Sequence, residues 1–241
     1  MKGEDLIVTL DVDWAPDFVI DHVAGLLRAH GVKATWFITH DSPAVRALQQ
    51  DANFELGLHP NYLPGSSQGA TTEEVLKFLF AIAPGAVSVR SHAVVQSGPL
   101  LNHYVKHTPL RIDSTIFLSE MPHIRPVKHL LPDGFLWRVP FFWADDFELC
   151  KQPPQWNFES YPAVPGLKVM MFHPIHIFLN SPDLAFYADF KRRCPNVNAL
   201  GAQEAAGFAC TDRKGAGNFF LDLMKHLSGK RSLLLRETAD L

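Results

Sequence analysis

The sequence is poor in cysteine, with only Cys150, Cys194 and Cys210 among 241 residues. An odd number at wide spacing cannot form a small-domain disulfide framework, and without a CxxC pair a thiolate zinc site is excluded too. No stretch approaches the roughly 18 uninterrupted apolar residues that a membrane span requires. The first apolar run, Leu6-Ile7-Val8-Thr9-Leu10, is too short for a signal-peptide core and lacks a small-residue cleavage site. The expectation is therefore a cytoplasmic protein with no membrane span. An excess of one charge is also missing. Lys and Arg number 22 against 25 Asp and Glu, a net charge of -3, which supplies no basic stripe for a nucleic acid. What is present is 47% hydrophobic residues, ample for a large core and too many for disorder, together with twelve histidines. Any tightly held metal must use imidazole and carboxylate ligands.

Short β-branched and aromatic runs alternate with helix-period segments, the pattern of parallel βαβ units. Strands are expected over 6–11, 34–39, 54–58, 86–90, 111–118, 135–139 and 167–172, seven in all. Between them lie a helix from about Pro16 to His30 closed by Gly31, a helix opened by Ser42-Pro43, and a helix with a Thr71/Glu74 capping box. The stretch 119–155 is rich in Pro and aromatics without a clean helical period, and is expected to form loops over one end of the sheet. Helical segments follow at about 182–193, 202–209 and 216–227. No repeat or linker interrupts the chain, so one domain over 1–241 is expected.

Polar residues collect where the apolar strands end. Asp11 and Asp13, two apart, would project their carboxylates to one side of an extended strand. His59 ends the third strand, Arg90 and His92 the fourth, and His173 follows Val169-Met170-Met171-Phe172. In a parallel βα barrel the C-terminal strand ends form one reaction face, which brings such residues together. Each alone has a simpler explanation. An Asp at a strand end often caps the next helix, a lone His is more often structural, and Arg90 could pair at the surface, although a buried partnership with Asp11 suits it better. His173 and His176 form an HxxH pair, but Pro174 bars a regular helix interior there, which leaves His176 a secondary candidate. His22, His30, His40, His103, His107, His123, His129 and His226 receive no role.

These residues resemble the NodB-homology polysaccharide deacetylases of carbohydrate esterase family 4. The resemblance implies an α/β fold, a distorted seven-stranded parallel (β/α) barrel. Thr9-Leu10-Asp11-Val12-Asp13 is similar to the family's first motif, which implies Asp11 as general base and Asp13 as metal ligand. The second motif, His-x-x-x-His, is only half present, because His59-Pro60-Asn61-Tyr62-Leu63 carries Leu at the second position. Arg90-Ser91-His92 resembles the Arg-led third motif, Asp145-Asp146 after Trp143 the fourth, and His173 the fifth, which holds the general acid. In the related YdjC-like deacetylases a later His supplies the third protein ligand, and Ser91-His92 resembles that arrangement. Asp13, His59 and His92 would then bind a divalent ion, Zn²⁺ first and Co²⁺, Ni²⁺ or Mn²⁺ as alternatives, with Asn61 as the other third ligand. The chain also resembles the WbmS-like branch associated with O-antigen clusters.

The expected activity is metal-dependent hydrolysis of an acetamido group on a carbohydrate: a polysaccharide, a lipopolysaccharide precursor or a nucleotide sugar. Arg90 would keep Asp11 ionised, and Asp145 or Asp146 would orient His173 and hold it protonated. Phe135, Trp137, Phe141, Phe142 and Trp143 could offer faces to a sugar ring or be ordinary core. A catalytically silent carbohydrate-binding protein and a hydrolase of another C–N or C–O bond are the alternatives.

Overall fold

The computed structural model describes residues 5–240, Ala239 and Asp240 without their side chains. Five strands build the central part of the sheet: β1 (Leu6–Asp11), β2 (Ala34–Ile38), β3 (Phe54–Leu58), β4 (Ser88–Val89) and β5 (Ile112–Asp113). Then come β6 (Val127–Leu131), β7 (Gly134–Arg138), β8 (Trp143–Ala144) and β9 (Lys168–Phe172). The spatial order is β6-β7-β5-β4-β3-β2-β1-β9-β8. Every neighbouring pair is parallel except the β6–β7 hairpin.

Alternation sorts the strand side chains onto two faces. Leu6, Val8, Leu10, Trp36, Ile38 and Leu58 face outward into a large cluster with Val19, Val23 and Leu27 of α1 (Asp17–His30), Val45 of α2 (Pro43–Gln49), Val75 and Leu79 of α3 (Thr72–Ile82), and Phe219 of α9 (Ala216–Leu227). The opposite face gathers Ile7, Phe37, Ile112, Phe141, Val169 and Met171 into a second cluster. Ile112 on β5 and Val169 on β9 share that cluster although four strands separate them, so the sheet must curl. The segment after β5 meets the segment before β8 at an isolated bridge, Phe117 with Phe141.

The N-terminal mouth of the curl is filled by residues 233–236. Leu233 and Leu235 join the inner cluster, the Leu235 N–H donates to Thr35 Oγ1 at 2.9 Å, and the Arg236 N–H donates to Glu55 Oε2 at 2.9 Å. Thr35 and Ser88 hydroxyls also donate to the buried Glu55 carboxyl.

The helix starts follow the local signals. Ser42 Oγ accepts from the Val45 N–H with Pro43 in the first turn, Thr71 and Glu74 form the capping box, and Gly31 closes α1 at φ 65°. The expected seven-stranded barrel becomes a curled, mostly parallel sheet of nine strands. Two strands beyond the expected seven, β6 and β8, fall inside the stretch expected to be loops. β6 lies at the sheet edge with Val127 and Leu130 in solvent, so its sequence lacks a hydrophobic alternation, and β8 is two residues long. Helices α4 (Gly98–His107), α5 (Asp145–Leu149) and α6 (Pro174–Leu179) are also additional to the expectation. Pro174 starts α6 instead of breaking it, because the first helical position has no N–H obligation. The remaining helices are α7 (Leu184–Arg193) and α8 (Ala202–Ala206). No helix among the described residues is long and apolar enough to cross a membrane.

Leu235→Ala should destabilise the protein by about 2–5 kcal/mol, measured by urea unfolding, because a fully buried side chain leaves a cavity. Burial raises the Glu55 carboxyl above its ordinary value, against the pull of its three donors. The folded chain thus holds a proton that the unfolded chain has released, and stability should fall as pH rises from the ordinary carboxyl value through the raised one. Glu55→Gln can keep all three contacts. Melting curves from about pH 4 to about pH 8 should show wild type losing stability relative to this variant.

Candidate active site

Seven strand ends and the turns after them converge at the C-terminal mouth of the sheet. Asp11 is the last residue of β1, but Asp13 lies beyond the strand, in a turn where Asp13 and Trp14 have φ of 43° and 56°. The Trp14 N–H is held by Thr39 Oγ1 at 3.0 Å. The two carboxylates therefore come together through a left-handed turn, which replaces the extended geometry expected from their spacing.

Arg90 follows β4 and points into the curl, where it is 1% exposed. Its Nη1 donates to Asp11 Oδ1 at 2.8 Å and to Thr9 Oγ1 at 2.9 Å, while Nε and Nη2 donate to the Ser114 carbonyl and hydroxyl. The guanidinium lies between the rings of Phe37 and Phe141, 4.5 and 4.8 Å from their centroids. An always-charged group this close keeps the buried Asp11 carboxylate compensated.

Asp13 Oδ1 lies 3.2 Å from His59 Nε2 and 3.1 Å from His92 Nδ1, and the two nitrogens are 3.3 Å apart. His92 sits in a turn where Ala93 and Val94 both have positive φ. Positive φ at a β-branched residue is costly and persists only where surrounding contacts impose it. Burial pushes the Asp13 carboxyl up, but hydrogen bonds with His59 and His92 and the charge of His173 outweigh it and hold it well below the usual range. The same carboxylate raises His92. The triangle of donor atoms bears directly on metal binding. Tetrahedral Zn²⁺ with bonds of about 2.0–2.1 Å needs ligand atoms about 3.3 Å apart, which the three observed separations match. Asp13, His59 and His92 thus fit a divalent ion of the zinc type.

His173, immediately after β9, is clamped by Asp145 at the start of α5. Asp145 Oδ2 accepts the His173 backbone N–H and Oδ1 accepts from Nδ1, both at 2.7 Å. A carboxylate can only accept, so Nδ1 carries the proton and Nε2 faces Asp13 Oδ2 at 3.6 Å. Burial opposes the charge on His173, yet Asp145, then Asp13 and Asp146, hold it well above the usual imidazole range. Asp145 is itself pushed up to about 6 by burial, with His173 pulling it back. Within the pair, Asp145 favours the charged form of His173 while burial disfavours charge on both.

The other candidate residues take the following places. Asn61 Oδ1 accepts from the Leu63 N–H in its own loop, and its N–H donates to Gln68 Oε1. Asp146 is exposed and its Oδ1 accepts from the Phe147 N–H, which leaves Asp145 as the carboxylate on His173. His176 is buried against Tyr187 and bonds Ser181 Oγ at 3.2 Å, and burial drives its imidazole well below the usual range. It does share a looser cluster with Asp145 and His173. Phe141, Phe142 and Trp143 are core residues, Trp143 stacking on Phe219 at 4.4 Å, and Trp137 packs against the inner cluster. The aromatic residue beside the site is Trp14, whose ring meets His92 edge-on. Trp14 borders a cleft of about 240 Å³ with Asp13, Tyr187, Lys191 and Asn196, and a second of about 640 Å³ with Asp17, His40 and Asn198.

Sequence reasoning missed Thr9, Ser114 and Gln68. Gln68, which is buried, donates to the carbonyls of Thr39 and His59 and accepts from the Asn61 N–H, tying two strand ends together. It sits in a loop where periodicity carries no signal. Thr9 carries a usable signal as the polar residue two before Asp11, on the same face.

A family model for WbmS-like polysaccharide deacetylases matches residues 8–191. The chain belongs to that family. A Bordetella bronchiseptica crystal structure, described as a polysaccharide deacetylase involved in O-antigen biosynthesis, is similar with a TM-score of 0.80. Identity is 31%, over 92% of this chain and 90% of that one. A carbohydrate esterase family 4 pseudoenzyme from Bacillus anthracis shares the fold at a TM-score of 0.51 and 11% identity, over 98% of this chain and 65% of its own. A 4-alpha-glucanotransferase from Thermococcus litoralis does so at 0.57 and 10%, over 98% and 38%. No curated protein matches the chain.

Asp145→Asn removes the charge that offsets burial at His173. In chelator-treated protein the His173 titration midpoint, followed by ¹⁵N NMR of the imidazole, should drop from above about 6.5 to below it. A midpoint that stays high would show that Asp145 does not charge His173.

Proposed function

We propose that this chain is a metal-dependent hydrolase that removes the acetyl group from an N-acetylated amino sugar. Its substrate is a polysaccharide, an O-antigen precursor or a nucleotide sugar, handled in the cytoplasm by one catalytic domain spanning 1–241. The observation that carries this reading is the meeting of three units at one end of the sheet: Asp11 on Arg90, Asp13 with His59 and His92, and His173 on Asp145. The family supports carbohydrate deacetylation, and the Bordetella neighbour supports the O-antigen context.

Asp13, His59 and His92 would hold a divalent ion, Zn²⁺ in first place. When bound, such an ion polarises an acyl oxygen and lowers the pKa of water towards about 7. Asp11, held by the hydrogen bond from Arg90 Nη1 at 2.8 Å, takes the proton from the attacking water. His173 sits across the site as an imidazolium with its Nε2 side towards the reacting atoms, and gives its proton to the departing amine. Asp145 fixes the ring and its tautomer. The cleft between Trp14 and Tyr187 receives the sugar. A second reading, a silent carbohydrate-binding protein, draws on Leu63, which stands where the family has its second His and is 43% exposed.

Asp13→Ala and His59→Ala should each abolish zinc retention in purified protein, measured by elemental analysis. Asp11→Asn should keep the metal and lose about 10²–10⁴-fold in kcat. Amine release from a panel of N-acetylated sugars, with and without chelator, separates the two readings. Sugar binding with no turnover and no metal dependence would establish the silent one.

A further inference from the structure

His92 is the unusual member of the ligand set, because its loop runs through two consecutive left-handed residues, Ala93 and Val94. Something outside the loop has to hold it there. Both ends are pinned to one buried ion pair. At the N-terminal end the Ser91 N–H donates to Thr115 Oγ1 at 3.2 Å, and that hydroxyl donates to Asp113 Oδ1 at 2.7 Å. At the C-terminal end Arg138 Nη2 donates to Gln96 Oε1 at 2.5 Å. Arg138 Nε and Asp113 Oδ2 then close the circuit at 2.6 Å. Asp113 and Arg138 are 1% and 4% exposed, so water can substitute for neither partner. Arg138 comes from β7 and also approaches His129 Nδ1 of β6 at 3.3 Å, which makes the edge hairpin part of the same support.

Resting on the metal site proposed above, we infer that the Arg138–Asp113 pair, acting through Thr115, positions His92 for metal binding. Arg138 and Thr115 are positioning residues, neither of which touches the ion. Outer residues that orient an imidazole ligand are worth about 10–100-fold in metal affinity.

The test measures zinc affinity by competition with a fluorescent chelator, on the full chain, alongside urea unfolding. Thr115→Val and Arg138→Met should each weaken zinc by about 10–100-fold, and Thr115→Ser should restore it to within about twofold. The double variant should be little worse than Arg138→Met alone, because both changes act through Asp113. A merely structural role predicts lowered unfolding midpoints with unchanged zinc affinity. Folded Thr115→Val with wild-type affinity overturns the inference, and Thr115→Val and Thr115→Ser decide it alone if Arg138→Met does not fold. His92→Ala is the control. If it keeps wild-type zinc affinity, the ligand set itself has failed, an outcome distinct from zinc loss in His92→Ala with Thr115→Val unaffected.

Discussion

A charged guanidinium buried inside the curl is the constraint from which the site is built. Taking Arg90 out of water costs several kcal/mol unless each donor finds a partner, and the structure provides Asp11, Thr9 and Ser114 from β1 and the segment after β5. Those bonds span the interior of the sheet, so the curl and the position of Asp11 are set together. The aromatic rings above and below make Arg the appropriate cation, since a Lys ammonium offers neither the plane nor the fork. Even the backbone accommodates it. A Cβ on Gly57 would come 2.7 Å from the Phe37 ring, so only glycine at that point of β3 lets Phe37 lie beneath the guanidinium.

This dependence explains what the amino-acid order reveals. Strand ends are marked by a switch from apolar to polar residues, and that switch alone singles out Asp11, His59, Arg90 and His173. The Asp11–Arg90 partnership is legible because both occupy strand-end positions in a barrel-like arrangement. The geometry of Asp13 is not. Spacing alone suggests extended backbone, whereas the actual turn is tied by its Trp14 N–H to Thr39, just past β2. The choice between Asp145 and Asp146 depends on where α5 begins, a boundary that neither propensity nor periodicity fixes to one residue.

The loop region misleads for a related reason. β6 and β8 gain their strand character from neighbours: β6 from pairing with β7 at an exposed edge, β8 from two residues beside β9. Neither has a local hydrophobic pattern, and Phe141, Phe142 and Trp143 are aromatic because the interior needs filling. A glucanotransferase and a pseudoenzyme share the fold at about one-tenth identity, so the architecture leaves chemistry open and the side chains at the mouth carry it.

The tail that fills the opposite mouth has a consequence for how the protein is made. The Leu235 N–H meets Thr35 across 200 residues of chain. At a synthesis rate of about 5–20 residues per second, β2 waits ~10–40 s for that partner to be translated. During that interval the nascent sheet can curl and Arg90 can find Asp11, but the floor of the inner cluster stays open. Glu55, Thr35 and their apolar neighbours are then accessible to chaperones or to other chains. The segment around Leu235 thus closes the inner cluster long after the strands it covers have been made.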